Sequence, residues 1–481
     1  MLFHDANIDG RRSDLRTAGN RIVAIAPLLV PIDGETIIDA RGGTLIPGLH
    51  DHHIHLSALA AAAASADCGP PLDAAGLRAC LRARAGAGWI RGVGYHPSIA
   101  GNIDRDWLDA IVRDVPVRIQ HRGGRLWILN SCALDLLLAG STGPDPLERH
   151  NGRPTGRLYD GDLWLRARSG GMPSGLAAVS VDLARFGITG LTDAGHSNGV
   201  ADLDRFRAEQ HRGALLQDLL VMGGASLDMA PSEPGLQVGP RKFHLHDNYL
   251  PDPDQLILQV TTGRHAGRAA AFHCVTVAEL VVALRCIEDA GGGRGDRIEH
   301  GAMIPPDLVD WIARLGVTVV TQPNFIAERG DSYRREIAPE EHAWLYRCAS
   351  LRDAGVPVAI GSDAPYGGIN PWATMQAAVT RRTAAGVLLG DAEPVSPEIA
   401  LAMFTTAPDD PGGNPRRLRI GGPADLCLLD RPWHTARRAL GDVTVRLTLK
   451  AGNPIWVDPD QPDASPLGTC DRQSFVEGII P

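Results

Sequence analysis

Between His273 and Asp363 the chain alternates short apolar stretches with amphipathic ones, and this order constrains its fold more than any other feature. Residues 269–273 read as a strand ending on His273. Thr276 and Glu279 then form a capping box, after which Val277, Leu280, Val281, Leu284 and Ile287 recur at helical spacing. Residues 297–300 predict a second strand, and Pro305-Pro306 open a helix that presents Leu308, Trp311, Ile312 and Leu315 before Gly316 ends it. A strand over 317–322, a helical stretch over 340–354 and a strand over 356–363 complete the series. Such alternation requires parallel strands joined by crossover helices.

Further strands are expected near 44–55, 116–120, 188–193 and 241–246. With those at 269–273, 297–300, 317–322 and 356–363 the count reaches eight, as a (β/α)8 TIM barrel needs. The chain ends differ in character. Residues 21–26, 36–40, 424–429 and 443–449 are β-like, which predicts a small β-sandwich domain built from both ends. The expected division is a composite β domain over 1–46 and 415–457, a barrel over 47–414, and a C-terminal tail over 458–481.

Composition narrows the function. A net charge of −9 with dispersed charge gives no footprint for nucleic acid. The longest apolar runs, 58–66 and 22–30, fall short of a membrane span, and no secretion signal opens the chain. The eight cysteines form no C-x-x-C pair and read as buried free thiols. A cytoplasmic enzyme with a small-molecule substrate is the expectation. A homo-oligomer is compatible with this composition, which does not set the oligomeric state.

The chemistry is expected at the strand ends, where α/β barrels carry it. Residues two apart in a strand face the same side, so His53 and His55 can reach one metal ion while His50, His52 and Ile54 point away. A chance pair in a histidine-rich stretch is the plain alternative. His273, His300 and Asp363 end later strands, and a mixed set of imidazole and carboxylate ligands suits Zn²⁺ or a similar divalent ion. Lys242 belongs to the fourth strand in this reading, and only it and Lys450 are lysines among 47 basic residues. A cation beside a metal is repelled, but lysine, unlike arginine, can lose its charge on burial. A neutral amine can add CO₂ to give a carbamate that bridges two metals. Lys450 has no such context and reads as solvated. His244 and His246 share parity with Lys242; pocket lining and strand-end filling are both open to them. Tyr95, His96, Trp127, Asn130, Asn324 and Tyr366 are specificity candidates near strand ends, with packing or loop anchoring as the alternative for each.

In order, Pro47-Gly48-Leu49-His50-Asp51, the His53/His55 pair, Gly187 to Gly195, Arg297-Ile298-Glu299-His300, Gly361-Ser362-Asp363-Ala364-Pro365 and Gly421 to Leu426 resemble the amidohydrolase superfamily. The similarity is greatest to its N-substituted formamide deformylase-like branch and runs from about residue 1 to 457. The resemblance implies one or two divalent ions: His53 and His55 on the α metal, His273 and His300 on the β metal, carboxylated Lys242 bridging, and Asp363 as α-metal ligand and proton shuttle. Arg122 to Trp127 and Phe243 to Asp247 depart from the pattern of these relatives at positions expected to face substrate.

The implied reaction is hydrolysis of a non-peptide C–N bond, of amide or formamide type, by metal-activated hydroxide with Asp363 moving the proton. The alternatives are opening of a cyclic imide or lactone, or deamination of a heterocycle, at the same site. A mononuclear site would leave Lys242 unmodified. A non-catalytic barrel homologue is the remaining alternative, and retention of all six candidate ligands argues against it.

Overall fold

The structure, a computed structural model, describes residues 1–69, 72–86, 88–139, 145–168, 175–247 and 250–460. Most of the expected tail, 461–481, lies outside the described residues. The chain forms two compact units, Met1–His55 with Ser180–Pro481, and Leu56–Val179.

The first unit contains a sheet of eight parallel strands. In chain order these are β1 (Leu49–Ile54), β2 (Ile188–Asp193), β3 (Asp218–Gly223), β4 (Leu236–His244), β5 (Ala270–Cys274), β6 (Arg297–His300), β7 (Thr318–Thr321) and β8 (Val358–Ile360). Each pairs with its sequence neighbour, the order of a (β/α)8 barrel. The ring closes just beyond β8, where Asp363 N donates to His53 O at 2.8 Å and His55 N donates to Ala364 O at 2.9 Å. Burial on both faces explains the near-continuous apolar runs: Val319, Val320, Val358, Ala359 and Ile360 are all buried.

The closing seam depends on a glycine. A Cβ at Gly361 would lie 2.4 Å from the backbone nitrogen of His53. Gly361→Ala must therefore displace backbone on one side of the seam, a strain of about 1–3 kcal/mol. The expected result is a lower thermal unfolding midpoint, read by differential scanning calorimetry. An unchanged midpoint would contradict the role of this close approach.

Both chain ends build the small β domain. Arg21–Ala26, Arg11–Ala18, Leu2–Ile8 and Ile37–Asp39 form one four-stranded sheet; Asn453–Val457, Val445–Lys450, Leu426–Leu429 and Leu45–Pro47 form another. Phe3, Leu15, Ile22, Ile38 and Leu45 share one apolar core with Leu426, Leu428, Leu447 and Leu449. Inward residues of the two sheets thus interdigitate as in a sandwich.

Four expectations need correction. Residues 116–120 are not a barrel strand: Val117–His121 lies in a six-stranded sheet of the second unit, between Ile90–Tyr95 and Leu126–Leu129. The missing barrel strand is β3, which no expectation covered. The helix over 340–354 is broken into a 3₁₀ turn, Pro339–Trp344, and a short helix, Ala349–Asp353. Lys450 is not simply solvated, because its Nζ meets Asp425 Oδ2 at 3.0 Å and Asp218 Oδ2 at 2.9 Å. Among the described residues seven cysteines are free, of which Cys80 and Cys132 are only partly buried. No described helix is long and apolar enough to cross a membrane.

Candidate metal centre

β1 delivers its histidines to two sides. His53 and His55 face a common centre, their rings 5.3 Å apart. His50 and His52 pack on the outer side, where His50 Nε2 meets Thr192 Oγ1 and His52 Nε2 meets Thr406 Oγ1, both at 2.9 Å. This is the division that strand parity dictates. The closing seam brings Asp363 alongside, with its Oδ1 3.4 Å from His53 Nε2 and 3.3 Å from His55 Nε2. These three residues offer ligand atoms within 4.8 Å of one another, the one such group among the described residues.

The remaining candidates surround this triad. The His300 ring lies 4.7 Å from that of His53 and 4.5 Å from that of His273. Lys242 projects from β4 with its Nζ 3.9 Å from Glu299 Oε2. All six sequence candidates thus occur at or near the C-terminal ends of strands of the one barrel, on β1, β4, β5 and β6 and just beyond β1 and β8. Two of them reach it through strained backbone. Glu299 and His300 are neighbours and could not both face inward from a regular strand. His300 has φ 70° and Asp363 φ 55°, left-handed values that non-glycine residues rarely adopt and that cluster at functional sites.

The electrostatics suit cation capture. His53 Nε2, Lys242 Nζ and Asp363 Oδ1 are buried polar atoms without a hydrogen-bond partner, a costly arrangement unless a ligand completes it. Burial alone would raise the Asp363 carboxyl, but the imidazoles of His53 and His55 beside it hold it well below the usual carboxylate range. Burial pushes the Lys242 ammonium down to about 8, against the pull of Glu299 and with the help of Arg297. Burial also drives His273 well below the usual imidazole range and His300 down to about 3, so both are neutral donors near pH 7. For His53, burial and Lys242 act downwards, yet Glu299 and Asp363 outweigh them and raise it. A proton and a divalent cation would compete for its Nε2 lone pair.

Two partners of this centre were not among the expected site residues. Glu299 Oε2 accepts from His53 Nδ1 at 2.5 Å, and Gln322 Oε1 accepts from His300 Nδ1 at 2.8 Å. Each bond leaves Nε2 of its histidine as the lone-pair atom. Gln322, one residue beyond β7, was legible only as a polar strand end. His244 lies beside the centre, its ring 4.3 Å from His273, 4.2 Å from His246 and 4.7 Å from His196. His196 follows β2, one residue past the glycine-rich stretch read from sequence.

The specificity candidates divide. Tyr366 sits over His55 with ring centres 5.5 Å apart, and Asn324 Nδ2 donates to Ser362 O at 3.2 Å, next to Asp363. Tyr95, His96, Trp127 and Asn130 belong to the second unit, not to barrel strand ends. There Asn130 and His96 cap short helices, the Tyr95 hydroxyl donates to Gly101 O at 2.5 Å and Trp127 Nε1 donates to Asp162 Oδ1 at 3.0 Å.

Comparison with known proteins agrees with this geometry. The sequence profile of the Amidohydrolase family matches residues 36–456. The chain is 28% identical to an N-substituted formamide deformylase of Arthrobacter pascens, over 86% of this chain and 89% of that protein. Its fold is similar to that of an uncharacterised metal-dependent hydrolase from Pyrococcus horikoshii OT3, with a TM-score of 0.74 at 20% identity over 92% of this chain and 99% of that one. It is also similar to N-isopropylammelide isopropylaminohydrolase from Burkholderia multivorans, with a TM-score of 0.53 at 17% identity over 94% and 97% of the two chains.

Proposed function

The chain belongs to the amidohydrolase family, hydrolases of non-peptide C–N bonds, and from that premise we propose that it cleaves an amide, of formamide type, with a divalent metal at the His53–His55–Asp363 centre. The observation that carries the reading is the grouping of His53, His55 and Asp363, with Asp363 Oδ1 3.4 Å from His53 Nε2 and 3.3 Å from His55 Nε2, and with His53 Nε2 and Asp363 Oδ1 buried without a hydrogen-bond partner. Those donors fit a Zn²⁺-like ion, for which imidazole nitrogen and carboxylate oxygen are suitable ligands. His273, His300 and a carboxylated Lys242 would hold a second ion. A metal bound here supplies a Lewis acid that polarises a carbonyl and makes water available as hydroxide near neutral pH.

The side chains do the rest. Asp363, kept anionic, accepts the proton of the attacking water and transfers it to the leaving nitrogen as the C–N bond breaks. A C–O bond forms in its place, and the products are a carboxylate and an amine. For a formamide the acid is formate. The relative from Arthrobacter pascens, named for that reaction, supports the formamide class. Tyr366 above His55 and the histidines His196, His244 and His246 beside His273 are the proposed walls of the substrate pocket. The proposed setting is cytoplasmic, with a small molecule as partner and neither nucleic acid nor membrane involved.

The test is metal removal followed by a substrate panel. Dialysis against a chelator should abolish hydrolysis of N-substituted formamides, and added Zn²⁺ should restore it. Simple amides, cyclic imides, lactones and aminated heterocycles complete the panel. Undiminished turnover in metal-free protein, or turnover confined to lactones, would sink the proposal.

A further inference from the structure

β6 carries two inward charges besides its histidine. Arg297 and Glu299 share strand parity, and both are buried. Arg297 Nε donates to Glu299 Oε1 at 2.7 Å, while its Nη2 donates to the His52 carbonyl at 2.7 Å. The guanidinium thereby ties this carboxylate to the backbone of β1. The other carboxylate oxygen, Oε2, accepts from His53 Nδ1 at 2.5 Å. An ionised carboxylate can only accept, so the shared proton belongs to Nδ1 and a neutral His53 carries its lone pair on Nε2. Nε2 is the atom that faces Asp363.

His300 receives similar support from the neutral amide of Gln322. A charged acceptor makes the stronger bond and raises the basicity of the ring that donates to it. The same Glu299 oxygen lies 3.9 Å from Lys242 Nζ, so one buried anion faces a candidate ligand from β1 and another from β4.

We propose that Arg297 and Glu299 are the positioning pair of the metal centre: Glu299 fixes His53 with its proton on Nδ1 and its Nε2 directed at the ion, and Arg297 holds Glu299 in place. Glu299 also serves as the counter-charge of Lys242 in the metal-free protein. The inference rests on the metal-hydrolase reading above. It assigns Glu299 a role that neither metal ligation nor proton shuttling requires.

The test is the Zn²⁺ affinity of metal-free protein, measured by competition with a chromophoric chelator. Glu299→Gln should bind Zn²⁺ about 10–100-fold more weakly than wild type. Its imidazole N–H spectrum should lose the strongly deshielded proton of the His53–Glu299 bond, a signal identified in wild type by its absence from His53→Asn. If Glu299→Gln alone fails to fold, because Arg297 is left as an unpaired buried charge, the double variant Arg297→Gln/Glu299→Gln removes both charges and should show the same weakening. Wild-type affinity within about twofold in a folded variant would overturn the inference while leaving the metal-hydrolase reading intact. A wild-type protein that binds no Zn²⁺ would overturn both.

Discussion

Asp363→Asn is expected to lower kcat by roughly 10³-fold at saturating Zn²⁺, an increase of about 4 kcal/mol in the barrel enzyme's activation free energy. Asn matches Asp in shape and is among the few residues that tolerate the left-handed conformation held at φ 55°. The seam survives as well, because Asp363 N to His53 O and Tyr366 N to Asp363 O are backbone bonds. What disappears is an anion kept ionised by its two histidines despite its burial. An amide cannot accept the water's proton, and its NH₂ group adds a donor beside His55. Metal content should fall too, since the Asp363 carboxylate is one of the three grouped ligands. Assays at several Zn²⁺ concentrations separate the two losses: added ion restores occupancy but not kcat. A variant within tenfold of wild-type turnover would exclude Asp363 as the proton shuttle.

The sequence made this residue a candidate but could not show its neighbours. The side-by-side position of His53 and His55 follows from strand parity alone. Placing Asp363 against them requires the barrel to close, and closure is a property of all eight strands. Glu299 was hidden by a related ambiguity. It sits next to His300, and parity allows only one of two adjacent residues to face inward; the left-handed φ of His300 admits both. The strand count reached eight for a partly mistaken reason. Residues 117–121 and 218–223 are both short and carry the apolar character of strands. Periodicity reports that a segment is a strand, not which sheet receives it. The second unit has parallel strands of its own, Ala66–Asp67, Ile90–Tyr95 and Val117–His121, so a strand-helix pattern also occurs outside the barrel before the sheet turns antiparallel at Leu126–Leu129. The expected helix over 340–354 failed at Leu345 to Cys348, where Tyr346 takes φ 44° and Arg381 binds the carbonyls of Leu345 and Tyr346. Tertiary hydrogen bonds overrode local helical spacing there.

Lys242→Arg should be nearly as damaging as Asp363→Asn, although it preserves charge in a chain that uses arginine almost everywhere else. Lys242 is buried, and burial already pushes its ammonium down to about 8, within reach of the neutral amine. An arginine there stays charged. Two unit charges 4 Å apart repel by about 4 kcal/mol at an effective dielectric of 20, and a divalent ion doubles the charge on one side. Glu299, 3.9 Å from Lys242 Nζ, would pair with the new guanidinium, so the barrel should still fold. The expected variant is therefore folded, holds at most one metal per chain where the proposed carbamate-bridged site would hold two, and turns over roughly 10³-fold more slowly. Bicarbonate supplies the discriminating control. Reloading metal-free wild type with Zn²⁺ should be faster and more complete with bicarbonate than in CO₂-depleted buffer, because the proposed carbamate has to form from the amine first. Lys242→Arg should be indifferent to it. Equal metal content and turnover in the two proteins would show that position 242 needs only a cation. The carbamate would then have no place in this site.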